Sequence, residues 1–142
     1  MDGLVRQVVA YADTDAGGIM YHGRFIELAE RSRLQWILDG SQSLDSIARE
    51  HDTLLVIHKL SAIYHFPARL ENEIFARTML VKMSPARSSW QTKIFHGAQL
   101  LTTVTTGIVG VSATRMQLIR LPDALVETFS HRIHHSLQAL RA

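Results

Sequence analysis

The chain contains no cysteine, which excludes a disulfide framework, a cysteine-ligated zinc and a thiol nucleophile and fits a reducing compartment. Proline and glycine are sparse, three and eight of 142 residues, which argues against a linker-rich or disordered chain. No apolar run approaches the roughly 20 residues of a membrane-crossing helix; residues 107–111 make only a strand-length run. The opening Met1-Asp2-Gly3-Leu4-Val5-Arg6 lacks the basic start and long apolar stretch of an export signal. A cytoplasmic protein without membrane insertion is therefore expected. P-loop, zinc-finger and RNP signatures are missing, as is the Gly-x-Ser-x-Gly elbow of a serine hydrolase. The fifteen Lys and Arg are dispersed and the net charge is only +2, so the pI of 9.3 implies a solvated mixed-charge surface and no nucleic-acid partner.

What is present has the size and composition of one ordinary soluble domain, with 46% hydrophobic and 20% charged residues. Val5 to Tyr11 is β-branched and aromatic, as a strand requires, and runs into the turn formers Asp13-Thr14-Asp15-Ala16-Gly17-Gly18. From His22 to Leu38 the residues Phe25, Leu28, Ala29, Ser32 and Trp36 recur at helical spacing. Ile26, Ile37 and Leu38 widen that apolar face, predicting a helix enclosed by a sheet. Gly40 ends it, and Ser43 caps a short second helix up to about His51. The segments 54–66, 73–83, 88–96, 99–112 and 115–120 then read as five further strands, with a hairpin at His96-Gly97. Leu125, Phe129, Ile133 and Leu137 mark a terminal amphipathic helix after Pro122. The expectation is an α+β domain over 1–142, its core in 1–121 and its terminal helix in 122–142.

Residues Asp13 to His22 place a carboxylate and two flexible glycines immediately before a long helix. The first N–H groups of a helix lack internal partners and sit at its positive end, so they can hold an oxygen on which negative charge develops. A carboxylate beside them, Asp15, can activate water or attack a thioester carbonyl directly. Gly17 and Gly18 allow close approach of the backbone to a ligand. From spacing alone, turn shaping and helix capping are the favoured roles of Asp13 and Asp15. A calcium loop is excluded, because Gly17 and Arg24 stand where Asp or Asn and Glu are required.

The stretch Tyr11-Ala-Asp-Thr-Asp-Ala-Gly-Gly-Ile-Met-Tyr-His-Gly-Arg-Phe-Ile-Glu-Leu-Ala-Glu30-Arg-Ser-Arg33 resembles the opening signature of the 4-hydroxybenzoyl-CoA thioesterase family, most closely its Tol–Pal-linked branch. The similarity continues more weakly through His65-Phe-Pro-Ala-Arg69 and Arg87-Ser-Ser to about Pro122. The resemblance implies a hotdog fold, a long central helix wrapped by a curved, mostly antiparallel sheet. It also implies hydrolysis of an acyl-CoA, with no cofactor or metal since the CoA belongs to the substrate. Asp15 falls on the family's catalytic aspartate, and the His22 backbone N–H on its oxyanion donor, with the His22 side chain as an assistant. Gly17, Gly18 and Tyr21 fall among the substrate-contacting positions, and Arg87, Ser88 and Ser89 on groups that hold the CoA nucleotide from the neighbouring chain. Clefts between paired chains make a homodimer or homotetramer the expected assembly. His22 matches the Tol–Pal-linked branch, whereas the 4-hydroxybenzoyl branch is aromatic there. Ala12 and Leu28-Ala29 also depart from the family pattern, which alters the expected acyl pocket.

Two other functions fit such a fold: a non-catalytic acyl-CoA or acyl-carrier binding module, and a hotdog dehydratase acting on hydroxyacyl thioesters. Glu27 with Arg31, and Glu30 with Arg33, have the spacing of surface ion pairs, and Glu30 could also support the pocket. His131, His134 and His135 share a side of the terminal helix at clamp-like spacing, but no matching carboxylate accompanies them, so a polar face is expected and not a metal site. His58 and His65 read as core or pocket-lining histidines. The threonines at 102, 103, 105 and 106 simply suit strands.

Overall fold

A computed structural model describes residues 3–141, with side chains through Ile133. Six strands and three α-helices follow the order β1 (Val5–Val8), α1 (His22–Asp39), α2 (Leu44–His51), β2 (Thr53–Tyr64), β3 (Glu73–Met83), β4 (Ser88–His96), β5 (Gln99–Ser112), β6 (Leu118–Ile119) and α3 (Asp123–Arg141). All pairings are antiparallel, in the spatial order β1-β3-β4-β5-β2, with β6 continuing beside β5 where β4 stops. The α+β class and the helix-on-sheet core expected from the sequence are present.

The periodicity of α1 explains its place. Phe25, Leu28, Ala29, Ser32, Trp36 and Ile37 are buried along one face, packed against the inward residues of β3, β4 and β5. One apolar cluster gathers Phe25 and Leu28 with Ile74, Ala76, Ile94 and Leu101, near the start of the helix. A second joins Trp36 and Ile37 to Leu80, Trp90, Leu121 and Phe129 near its end. There the rings of Trp36, Trp90 and Phe129 meet edge to face at centroid separations of 4.8, 5.4 and 6.0 Å, a geometry worth about 0.5–1.5 kcal/mol per pair beyond burial. Between the clusters a buried polar chain fixes the helix on the sheet. Ser32 Oγ donates to the Gly3 carbonyl at 2.6 Å and accepts from Thr78 Oγ1 at 2.8 Å, and Thr78 also meets Thr92 at 2.8 Å.

Two expected strands are shorter than the sequence suggests. The first ends at Val8 because Asp13 accepts the Ala10 N–H at 2.9 Å and winds Tyr11–Asp13 into a 3-10 turn. The expected strand 115–120 shrinks to Leu118–Ile119, because Asp52 accepts the Thr114 N–H and draws the preceding residues into a turn closed by Met116 N–H to the Ser112 carbonyl. The hairpin at Gly97 is as expected, with φ +58° at the glycine. Ser43 caps α2 by accepting the Ser46 N–H at 3.0 Å.

One edge of the sheet is open. β2 bonds only to β5, and its outer edge runs for twelve residues. Val56, Ile57, Leu60, Ile63 and Tyr64 are all exposed along it. Among the described residues no helix is long and apolar enough to cross a membrane.

Candidate active site

The loop between β1 and α1 is a small hairpin. Thr14 pairs with Met20, the Asp15 N–H donates to the Ile19 carbonyl at 2.9 Å, and the Tyr21 N–H donates to the Asp13 carbonyl at 2.8 Å. The reversal needs Gly18, whose φ of +80° lies in the left-handed region closed to most side chains. The Asp15 carboxylate accepts the Gly17 N–H at 2.7 Å, and its remaining surface is exposed. Arg24 ties this loop to the helix, bonding Glu27 at 2.8 Å and the Ala12 carbonyl at 3.2 Å, with Asp13 at 3.7 Å.

The hairpin delivers the chain to the first turn of α1. Tyr21, the N-cap residue, supplies no side-chain acceptor. Among the described residues the N–H groups of His22 and Gly23 have no acceptor, so the positive end of an 18-residue helix faces out uncapped. Beside it lies a cleft of about 240 Å³ with Met20, His22 and Phe25 on one side and Tyr64, His65 and Phe66 on the other. The Tyr64 hydroxyl donates to the His22 carbonyl at 3.0 Å, and its ring stands edge-on to His22 and Phe25. Burial, and secondarily the neighbouring Tyr21 phenol, pushes the Tyr64 hydroxyl above the usual tyrosine range, so it stays protonated and remains a donor. His65 Nε2 lies 3.2 Å from Thr103 Oγ1.

Arg87, Ser88 and Ser89 lie elsewhere, at the start of β4. With Lys59, Lys82 and His58 they line a second cleft of about 380 Å³ that has no carboxylate in its wall. Three cations without a counter-charge make it an anion-binding surface. The Ser88 hydroxyl is buried and accepts the Trp90 indole N–H at 2.8 Å, leaving Ser89 as the serine with the freer side chain. Gly107 forms the floor, where a Cβ would come within 2.7 Å of the His58 ring.

The residues singled out in the sequence therefore fall in two places within one chain. Tyr21 and His22 stand at the helix tip, with Asp15, Gly17 and Gly18 in the hairpin loop that leads into it, and Arg87, Ser88 and Ser89 sit in the basic cleft. Asp15 does not line the His22 cleft. Lys59, Lys82 and Tyr64 were not singled out in the sequence; for Tyr64 the available signal was its place directly before the His65-to-Arg69 stretch. Glu27 pairs with Arg24 and not with Arg31. Arg33, expected on the surface beside Glu30, is buried, because its position on α1 turns it under the helix toward β2. Among the described residues no three His, Cys, Asp or Glu side chains could share a metal. His131 is described, and the side chains of His134 and His135 lie outside the described residues.

The model of a thioesterase-like superfamily matches residues 9–129, from the end of β1 into α3. The chain belongs to that superfamily. The matched span holds both clefts, the loop and the whole sheet apart from β1. Among characterised relatives, the acyl-CoA thioesterase YbgC of Haemophilus influenzae is 24% identical over 123 residues, 87% of this chain and 90% of that protein. The acyl-CoA thioester hydrolase YbgC of Escherichia coli is 28% identical over 122 residues, covering 85% and 90%. The crystal structure of a probable thioesterase from Bartonella henselae superposes with a TM-score of 0.77 at 25% identity, over 84% of this chain and 98% of that one. The DHNA-CoA thioesterase of Staphylococcus aureus shares the fold, with a TM-score of 0.80 at 24% identity over 97% and 91%. The hotdog fold is thus the family's own, a curled antiparallel sheet around a long helix.

Proposed function

We propose that the chain is an acyl-CoA thioesterase that releases free acid and CoA. The observation that carries this reading is the pair of unbonded N–H groups at the start of α1, beside a loop that presents the Asp15 carboxylate. In the proposed reaction the thioester carbonyl oxygen rests on the His22 N–H, where the helix dipole stabilises the charge that develops during attack. Asp15 either draws a proton from water, which adds to the carbonyl carbon, or attacks that carbon to give an anhydride that water then opens. Both routes expel the CoA thiolate, which takes up a proton. The Tyr64 hydroxyl holds the His22 carbonyl and so fixes the direction of the helix tip.

The assembly proposed is a homodimer, or a homotetramer made of two such dimers, built on the open edge of β2. A long apolar edge with free backbone groups calls for a cover, and a two-fold partner supplies the same edge in reverse. Antiparallel pairing would also bring the two clefts together. The helix tip lies at the Tyr64 end of β2 and the basic cleft near His58 and Lys59, so the cleft of one copy approaches the tip of the other. Arg87, Lys59, Lys82 and Ser89 would then hold the phosphates of the CoA nucleotide, while Gly17, Gly18 and Tyr21 line the path of the pantetheine arm. A cytoplasmic setting, a cofactor-free reaction and a role for the His22 side chain belong to the same proposal.

Thiol release from short, long and aromatic acyl-CoAs by the purified protein tests it. Free CoA and free acid in equal amounts are expected. Retention of acyl-CoA without thiol release would favour the binding module, and an enoyl thioester product the dehydratase.

A further inference from the structure

A third concavity is separate from both clefts of the proposed active site. It is a groove of about 680 Å³ between α1 and the open strand β2, lined by Glu30, Arg31, Arg33 and Leu34 on the helix and by Leu55 and Ile57 on the strand, among others. Arg33 is its unusual member. The residue is 8% exposed, and burial pulls its guanidinium below the usual arginine range, against the field of Glu30. Among the described residues no hydrogen bond or ion pair engages it; Glu30 acts on it only through that field. Its side chain lines the groove, so the guanidinium is open to a partner that enters from outside the chain.

The groove wall says which partner. It carries both signs, Glu27 and Glu30 beside Arg31 and Arg33, where a site for an anionic ligand would present positive charge alone. Charges of both signs on one helix face are self-complementary under a two-fold rotation. Glu27 is already held by Arg24 at 2.8 Å, which leaves Glu30 as the free carboxylate of this wall. The exposed residues Val56 and Ile57 continue the wall directly onto the β2 edge.

We propose that this groove is occupied by α1 of a second copy of the chain, with Arg33 of each copy bonded to Glu30 of the other. Two reciprocal ion pairs then flank the two-fold axis and set the register in which the β2 edges meet. The proposal rests on the dimer described above and adds to it the charge pair that selects one alignment among the several a plain apolar edge would allow.

The test is a double-mutant cycle on dimer dissociation, followed by analytical ultracentrifugation, with thermal unfolding to check the fold. Arg33→Met keeps the volume and removes the charge, and Glu30→Gln neutralises the other partner. Arg33→Met alone should raise the dimer dissociation constant by roughly 30-fold or more. The double variant should return to within about tenfold of the parent, because no buried charge is then left unmatched. The charge exchange Arg33→Glu with Glu30→Arg should also dimerise, whereas Arg33→Glu alone should not. A parent protein that is monomeric would overturn the dimer itself. A dimer whose dissociation constant ignores all these changes would overturn the ion pair only. An unchanged dimer in which Arg33→Met alters the choice of acyl chain would overturn it in favour of a substrate-binding arginine.

Discussion

Asp15 has two possible employments, and one pair of substitutions separates them. Its carboxylate shapes the loop by accepting the Gly17 N–H, and in the proposed reaction it also acts on water or the thioester. Asp15→Asn keeps an oxygen acceptor for that bond and removes the basicity; Asp15→Ala removes both. Because Asp15 is exposed and engaged in this one bond, Asn should change stability by no more than about 0.5 kcal/mol. In a domain of this size that is roughly 1–2 °C in melting temperature. A general base contributes about 10²–10⁴ in rate, or roughly 3–5 kcal/mol of transition-state stabilisation. Both variants should therefore lose at least a hundredfold in kcat for thiol release, while calorimetry finds the Asn protein intact. If Asp15 only shaped the turn, Asn would retain most of the activity and Ala would lose it. Near-parental turnover in a folded Asp15→Asn protein would refute the chemical role.

Other parts of the structure make separate predictions. Arg87→Ala should raise KM for acyl-CoA roughly two- to fivefold, as loss of one exposed charge contact of about 0.5–1 kcal/mol implies. The same variant should leave an acyl-pantetheine thioester unaffected, since it has no nucleotide to hold. Ser32→Ala leaves the Gly3 carbonyl without its donor and Thr78 with one partner fewer; a loss of about 1–3 kcal/mol, or roughly 2–12 °C by thermal melt, should follow. Asp52 accepts from Ser112 at 2.6 Å and from Thr114, and these bonds hold its carboxyl below the usual range. A depressed folded value means the stabilisation is present above the unfolded value near ~4 and fades as pH falls through the lower folded one. Melting temperatures of the parent and of Asp52→Asn should therefore differ at neutral pH and converge in strong acid. Tyr64→Phe removes the donor to the His22 carbonyl and should cost about 0.5–1.5 kcal/mol in stability, with a fall in kcat and little change in KM.

Features written in local chemistry were legible in the sequence. The helical spacing from Phe25 to Trp36, the Ser43 cap and the Gly97 turn each depend on residues within one or two turns of one another, and α1, α2 and the β4–β5 hairpin stand where those signals put them. Val8 and Ile119 bound shorter strands than composition implied, because Asp13 and Asp52 divert backbone groups into turns that strand propensity does not register. The burial of Arg33 was not legible either. Its i, i+3 relation to Glu30 describes an isolated helix, whereas strands far along the chain, β3 foremost, decide which side of α1 is covered. The same holds at the site. Asp15 and the helix tip are neighbours in sequence and could be read together, but the bond from Tyr64 to the His22 carbonyl spans 42 positions and appears only once the sheet is folded.

Both tryptophans of the chain stand in the aromatic cluster at the far end of α1, in van der Waals company with Phe129. The Arg132 guanidinium lies 3.3 Å over the Trp36 ring. Tryptophan emission is consequently a gauge of how α3 docks on the sheet, and it is nearly blind to the loop that carries Asp15. A ligand that orders the helix tip could bind without altering that signal, so an extrinsic probe near the loop is the appropriate optical reporter for occupancy.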